Sequence, residues 1–149
     1  MSLDSEVDVL ARVPLFRGID RAKLRLLAFI SERVSYSPGE ALCEQGEPGD
    51  AAFILLCGEA DIVLNTDGGP KRVARMREND IVGEIAILID VPRTASVVAA
   101  SEVEALAVSK EDFLKLLRTF PEMALEVTRV LAHRLERTTR DLVRANAGS

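Results

Sequence analysis

Glu84 and Arg93 are the two side chains of this sequence best placed to do chemistry, a carboxylate and a guanidinium joined by a run that is odd for a β protein. The stretch reads Val82-Gly83-Glu84-Ile85-Ala86-Ile87-Leu88-Ile89-Asp90-Val91-Pro92-Arg93-Thr94-Ala95-Ser96-Val97. A glycine opens a set of good helix formers too short to be a stable helix alone. Pro92 ends it, and the arginine follows immediately before an apolar strand that begins at Ala95. Unpaired amides at the start of a short helix attract an anion, because the N–H groups and the dipole point the same way. An arginine brought back to that point supplies the fork of donors that phosphate oxygens prefer. Glu84, beside the same amides and near Arg93, would accept a hydrogen bond from a sugar hydroxyl. Singly, an Arg after a Pro and a surface Glu are ordinary exposed residues. Their joint occurrence with Gly83, Ala86 and Pro92 argues for a site.

The elements that must hold this segment follow from punctuation and periodicity. Asp20 can cap a helix from Arg21 to about Glu32, with Leu24, Leu27 and Ala28 on one face. Before it, Val7 to Leu10 suggests a short helix, Pro14 a break, and Gly18 the end of a turn. From Val34 to Val108 short apolar runs alternate with turn signals such as Ser37-Pro38-Gly39, Glu47-Pro48-Gly49-Asp50 and Asp67-Gly68-Gly69-Pro70. The runs are Ala41 to Cys43, Ala52 to Cys57, Asp61 to Leu64, Arg72 to Met76, Ala95 to Ala99 and Val103 to Val108. This spacing reads as an antiparallel barrel or jelly roll, not as βαβ units. Ser109 and Asp112 make a capping box before Phe113, Leu116, Leu117 and Phe120. Pro121 suits the first turn of a last helix reaching about Ala145. Its Thr128, Leu131, Leu135, Thr138, Leu142 and Ala145 form a seam that fits either coiled-coil pairing or packing on its own barrel. The expected architecture is mainly β with flanking helices: an antiparallel β-roll (jelly-roll-like) with N-terminal helices, a short cassette helix and two C-terminal helices.

Composition narrows the function. With 149 residues the chain can bury a real core as one domain, and 19 basic against 24 acidic residues give a net charge of −5. That charge argues against a broad nucleic-acid footprint but not against one buried phosphate held by one arginine. Cys43 and Cys57 lie in apolar runs and read as reduced core thiols. No stretch has the length needed to span a bilayer, and the N-terminus lacks a signal peptide's basic and apolar regions, so a cytoplasmic location is expected. An enzyme is not expected: no nucleophile–base constellation is visible, and His133 has no Cys or carboxylate set at metal spacing.

Gly83-Glu84-Ile85-Ala86-Ile87-Leu88 through Pro92-Arg93-Thr94-Ala95-Ser96-Val97 resembles, without a gap, the phosphate-binding cassette of cyclic-nucleotide-binding domains. That family includes the bacterial catabolite activator, protein kinase A regulatory subunits and cyclic-nucleotide-gated channels. The likeness covers nearly the whole chain, which implies one such domain over 1–149, with N-terminal helices at 1–33, the β-roll at 34–108 and C-terminal helices at 109–145. The resemblance implies that Arg93 pairs with the oxygens of a cyclic phosphate and Glu84 with the ribose 2′-hydroxyl, with the Gly83 backbone close by. The amides of Ile85 and Ala86 would cradle the phosphate, and Thr94 and Ala95 would line the pocket. Val82 stands where the family usually has Phe, so one pocket wall loses bulk.

The ligand implied is cAMP or cGMP, since a Thr at position 94 occurs with both. The segment around Arg134 resembles the dimer helix of the catabolite activator, with Thr138 and Thr139 on its adenine-contacting pair; this favours cAMP and a homodimer through the C-terminal helix. The same threonines could be plain exposed helix residues. No helix-turn-helix follows, so no nucleic-acid contact is expected within this chain. A β-roll that has lost its ligand and binds proteins is the competing reading.

Overall fold

Asp20 behaves as its position before Arg21 requires: its side chain accepts a hydrogen bond from the Lys23 amide at 3.1 Å. The computed structural model describes residues 3–147. Helix α1 (Leu3–Arg12) leads through a short 3-10 turn at Pro14–Phe16 into α2 (Arg21–Ile30). The Ser31 amide and hydroxyl both donate to the Leu27 carbonyl and close α2, so the helix stops short of Glu32. Glu32 instead opens strand β1 (Glu32–Tyr36), which the apolar pattern alone had not resolved. Val34 and Tyr36 alternate with polar residues there, and pairing along the last strand fixes the segment as β.

Next come β2 (Ala41–Cys43), β3 (Ala51–Cys57), β4 (Ala60–Thr66), β5 (Gly69–Met76) and β6 (Ile81–Val82). The five-residue helix α3 (Glu84–Leu88) precedes β7 (Ser96–Ala99) and β8 (Val103–Ser109). The strands form two four-stranded sheets with the orders β1-β8-β3-β6 and β2-β7-β4-β5, every pairing antiparallel. The expected roll with flanking helices is therefore present. β6, only two residues long, was invisible to periodicity, yet its Val82 pairs with Phe53 and so delivers Gly83 to the middle of β3.

β3 is buried on both sides. Ala52, Ile54 and Leu56 face the helices and share a cluster with Leu106, Val108, Phe113 and Met123. Phe53 and Leu55 point the other way, into the roll, with Leu42, Val97, Val103 and Ala105. A continuous apolar run, not an alternating one, is what such a strand needs. Cys43 is buried, but Cys57 is exposed, which corrects the expectation of two core thiols. A register shift between Leu55 and Cys57 carries Cys57 out of the alternation as the strand ends.

Ser109 accepts from the Asp112 amide at 3.2 Å and starts α4 (Lys110–Thr119); α5 (Pro121–Ala147) follows. Met123 and Val127 of α5 are buried against the helical cluster, whereas Leu135 and Leu142 are 68% and 61% exposed. The buried residues lie beside the expected seam: of the seam itself only Leu131 packs partly on this chain, and Thr128, Leu135 and Leu142 face outward.

Gly58 closes the β3–β4 turn at φ +92°, where an added Cβ would sit 2.2 Å from the Glu102 carbonyl oxygen. Gly58→Ala should destabilise the fold by at least about 1–2 kcal/mol from left-handed backbone strain alone. Urea unfolding reads this directly, and an unshifted midpoint would contradict the close packing of that turn.

Candidate functional site

Arg93 is held by its backbone before its side chain does anything. Its amide donates to the Glu47 carbonyl at 2.7 Å, and its carbonyl accepts from the Gly46 amide at 2.9 Å. The Glu47-Pro48-Gly49-Asp50 turn signal is therefore the cradle of the arginine. The side chain then runs inward and the residue is only 4% exposed. Its Nη1 donates to the Gly83 carbonyl at 3.1 Å, and its Nη2 to the Ala51 carbonyl at 2.6 Å. Among the described residues its one ion-pair partner is the exposed Asp50 carboxylate, 3.5 Å away. Its buried Nε has no hydrogen-bond partner among the described residues. A desolvated cation met by carbonyl dipoles and one solvent-screened carboxylate is incompletely compensated. Phe53 presents its ring to the guanidinium, with the centroid 5.9 Å from Cζ. Phe53 is also the cross-strand partner of Val82, so aromatic bulk absent at position 82 stands directly opposite it.

Gly83 is required where it is. It adopts φ +94° as the residue before α3, and a Cβ there would lie 2.5 Å from Nη1 of Arg93. Glu84 begins the helix and is 3% exposed. Its carboxylate pairs with the Arg134 guanidinium of α5, a partner the sequence reading did not name. The reason is tertiary: Arg93 is already committed to the carbonyls of Gly83 and Ala51, while α5 passes within reach of the Glu84 side chain. The two residues consequently border separate cavities. Glu84, Gly83, Val82 and Ile85 line one of about 370 Å³, with Ile62, Ala74 and Met76 as its apolar wall and Arg134 and Arg137 on its α5 side. Arg93 lines another of about 290 Å³ with Leu42, Cys43, Glu47 and Asp50.

The remaining expected residues fall into place unevenly. Ala86 is on the buried face of α3 and Ile85 is 40% exposed; Thr94 is exposed and Ala95 half-buried. Thr138 and Thr139 are exposed on α5, and their hydroxyls donate back to the carbonyls of Arg134 and Leu135 at 2.9 Å. Within one chain neither threonine lines the Glu84 cavity, although Thr138 adjoins Arg137 and bonds the backbone of Arg134, two residues that do. Arg134 was missed as a site residue. The segment containing it was legible as helix, but nothing local marks its pairing with a carboxylate fifty positions earlier. His133 is exposed, and no group of three or more metal-ligating side chains is found among the described residues. No helix among them is long and apolar enough to cross a membrane.

Two antiparallel sheets carrying a Gly-Glu helix start and a buried arginine behind an exposed proline define a class of β-roll. Residues 33–120 match the model of the cyclic nucleotide-binding domain family, and the chain belongs to that family. It is 30% identical over 136 residues to the CRP-like cAMP-activated global transcriptional regulator of Mycobacterium tuberculosis, covering 91% of this chain and 61% of that protein. The cAMP-dependent protein kinase regulatory subunit of Colletotrichum orbiculare is 34% identical over 110 residues, covering 74% of this chain and 28% of that protein. The crystal structure of the Thermus thermophilus catabolite activator protein matches with a TM-score of 0.80 at 30% identity, covering 87% of this chain and 61% of that one. The chain thus spans about three-fifths of the length of the bacterial regulators it matches and about a quarter of the kinase subunit.

Cys43 offers a probe of the Arg93 cavity. Burial pushes its thiol above the usual range, with the Arg93 charge pulling the other way. Thiolate supply and access both set thiol reactivity. An aromatic disulfide reagent should therefore modify exposed Cys57 in a fast phase and Cys43 in a much slower one. Single Cys→Ser variants assign the phases; equal rates would show that the cavity wall is open.

Proposed function

We propose that this chain is a cytoplasmic regulatory sensor module that binds a cyclic nucleotide, cAMP in preference to cGMP, and does no chemistry on it. The observation that carries this reading is Arg93: a nearly buried guanidinium, gripped through its backbone by the Gly46–Glu47 turn, with an unpartnered Nε and one solvent-screened carboxylate partner. A phosphodiester monoanion supplies the charge and the acceptors that this cation lacks. Glu84 takes the ribose 2′-hydroxyl, the amides of Ile85 and Ala86 support the phosphate, and Val82, Gly83, Thr94 and Ala95 surround it. The apolar wall of Ile62, Ala74 and Met76 suits the flat face of a base.

cAMP is favoured by the cAMP-named relatives and by the Thr138–Thr139 pair, which reaches the adenine amino group from a second copy of the chain. Outward-facing Leu135 and Leu142 support such a homodimer. Thr94, exposed beside Arg93, could equally bond a guanine amino group, and makes cGMP the second reading.

Ligand shifts a two-state arrangement only through its differential affinity for the states. Ile87 of α3, Phe113 and Leu116 of α4, and Met123 and Val127 of α5 share one apolar cluster. Movement of the cassette onto a phosphate is thereby felt by α5, as is release of Arg134 from Glu84.

Calorimetric titration with cAMP and cGMP in parallel is the direct test. Arg93→Ala should weaken binding by about 10- to 150-fold, the equivalent of a lost charge-assisted contact of about 1.5–3 kcal/mol. Arg93→Lys should also lose affinity, because an ammonium cannot reproduce the fork. No binding of either nucleotide to the wild-type chain would instead favour a protein-interaction module.

The linkage has its own readout in α5. cAMP should raise hydrogen-exchange protection of its backbone amides, and Leu135→Asp with Leu142→Asp should convert a sedimenting dimer to monomer. Unchanged protection would remove the relay through α4, and a wild-type monomer would remove the second copy from the site.

A further inference from the structure

The Glu84 cavity shares Asp80, Arg134 and Arg137 with a larger cavity of about 710 Å³. Arg17, next to the Pro14–Phe16 turn, and Arg129 of α5 complete its cationic lining, with the His133 imidazole beside them. Four guanidiniums and an imidazole thus meet two carboxylates, Asp80 and Glu126, in a chain whose net charge is −5. Both carboxylates are already engaged. Glu126 pairs with Arg129 at 2.6 Å, and Asp80 accepts from the Arg77 amide at 2.9 Å. Arg134 is paired with Glu84, outside this group. Arg17 and Arg137 have no ion pair among the described residues.

Uncompensated arginine forks converging on a concave site from two elements are suited to phosphate oxygens. We infer that this groove binds a small, multiply charged phosphate, such as pyrophosphate or the phosphate chain of a free nucleotide. Arg134 joins the bound anion and leaves Glu84, which is then available to the sugar hydroxyl. The disruption of one ion pair is thus shared between two ligands, and each ligand tightens the other. This coupling rests on the cyclic-nucleotide reading of the Glu84 cavity; the anion site does not.

The test is calorimetry on the purified chain in a phosphate-free buffer, first with inorganic pyrophosphate alone. Saturable binding at one per chain is expected. cAMP affinity measured in saturating pyrophosphate should rise about fivefold or more, the lower end of ordinary allosteric coupling. Arg17→Gln with Arg129→Gln should abolish pyrophosphate binding and the enhancement. It should leave cAMP affinity without pyrophosphate unchanged, since neither residue lines the Glu84 cavity. ADP should compete with pyrophosphate at the same site. Pyrophosphate binding that persists in the double variant, is matched by sulfate, or is surpassed by a short single-stranded oligonucleotide would overturn the site. Absence of saturable binding at millimolar pyrophosphate would do the same. Pyrophosphate binding with no cAMP binding would uphold the site while overturning both the coupling and the cyclic-nucleotide reading.

Discussion

A positive charge kept out of water organises this molecule. The Arg93 guanidinium lies against the carbonyls of Gly83 and Ala51, and neither dipole neutralises it. Everything near it serves that placement. The Gly46–Glu47 turn clamps its backbone, Phe53 covers its face, and residue 83 must lack a side chain because a Cβ would strike it. A buried cation of this kind costs stability unless something repays it in binding. As a structural ion pair the arrangement is weak, because its carboxylate partner is in solvent; the proposed anion site rests on that imbalance.

The double-sided burial of β3 is the mechanical counterpart of that charge. One face of the strand belongs to the helices and the other to the roll interior, so the two apolar clusters meet along a single backbone. Residues that cradle the arginine, Ala51 and Phe53, alternate with residues that anchor the helices, Ala52 and Ile54. Strain at the cassette and packing of α4 and α5 are therefore not independent, since close-packed interiors transmit displacement instead of absorbing it.

Arg134 adds a polar connection beside the apolar one. A guanidinium on α5 holding the buried Glu84 ties the last helix to the start of α3. Arg134 also borders the large basic groove, so one guanidinium is shared by that groove, the Glu84 cavity and the start of α3. α5 is thus a wall of both cavities.

Some of this was legible from residues alone. Glu84 and Arg93 could be singled out as candidates because the signal is local: a glycine, a short helical run, a proline and an arginine in one contiguous segment. Caps at Asp20 and Ser109 were equally legible, since a side chain bonding an amide three residues on needs no distant partner. β1 and β6 were not, because short strands carry too little periodicity and exist only through the ladders they join. The fate of Cys57 depended on a register shift that no composition records. Above all, the sequence named a carboxylate and a guanidinium but could not say which partners they take. Only the path of α5 decided that Glu84 faces Arg134 and that Arg93 faces main-chain carbonyls, because charge pairing across a fold is set by which backbones pass within a few ångströms, and that is a property of packing.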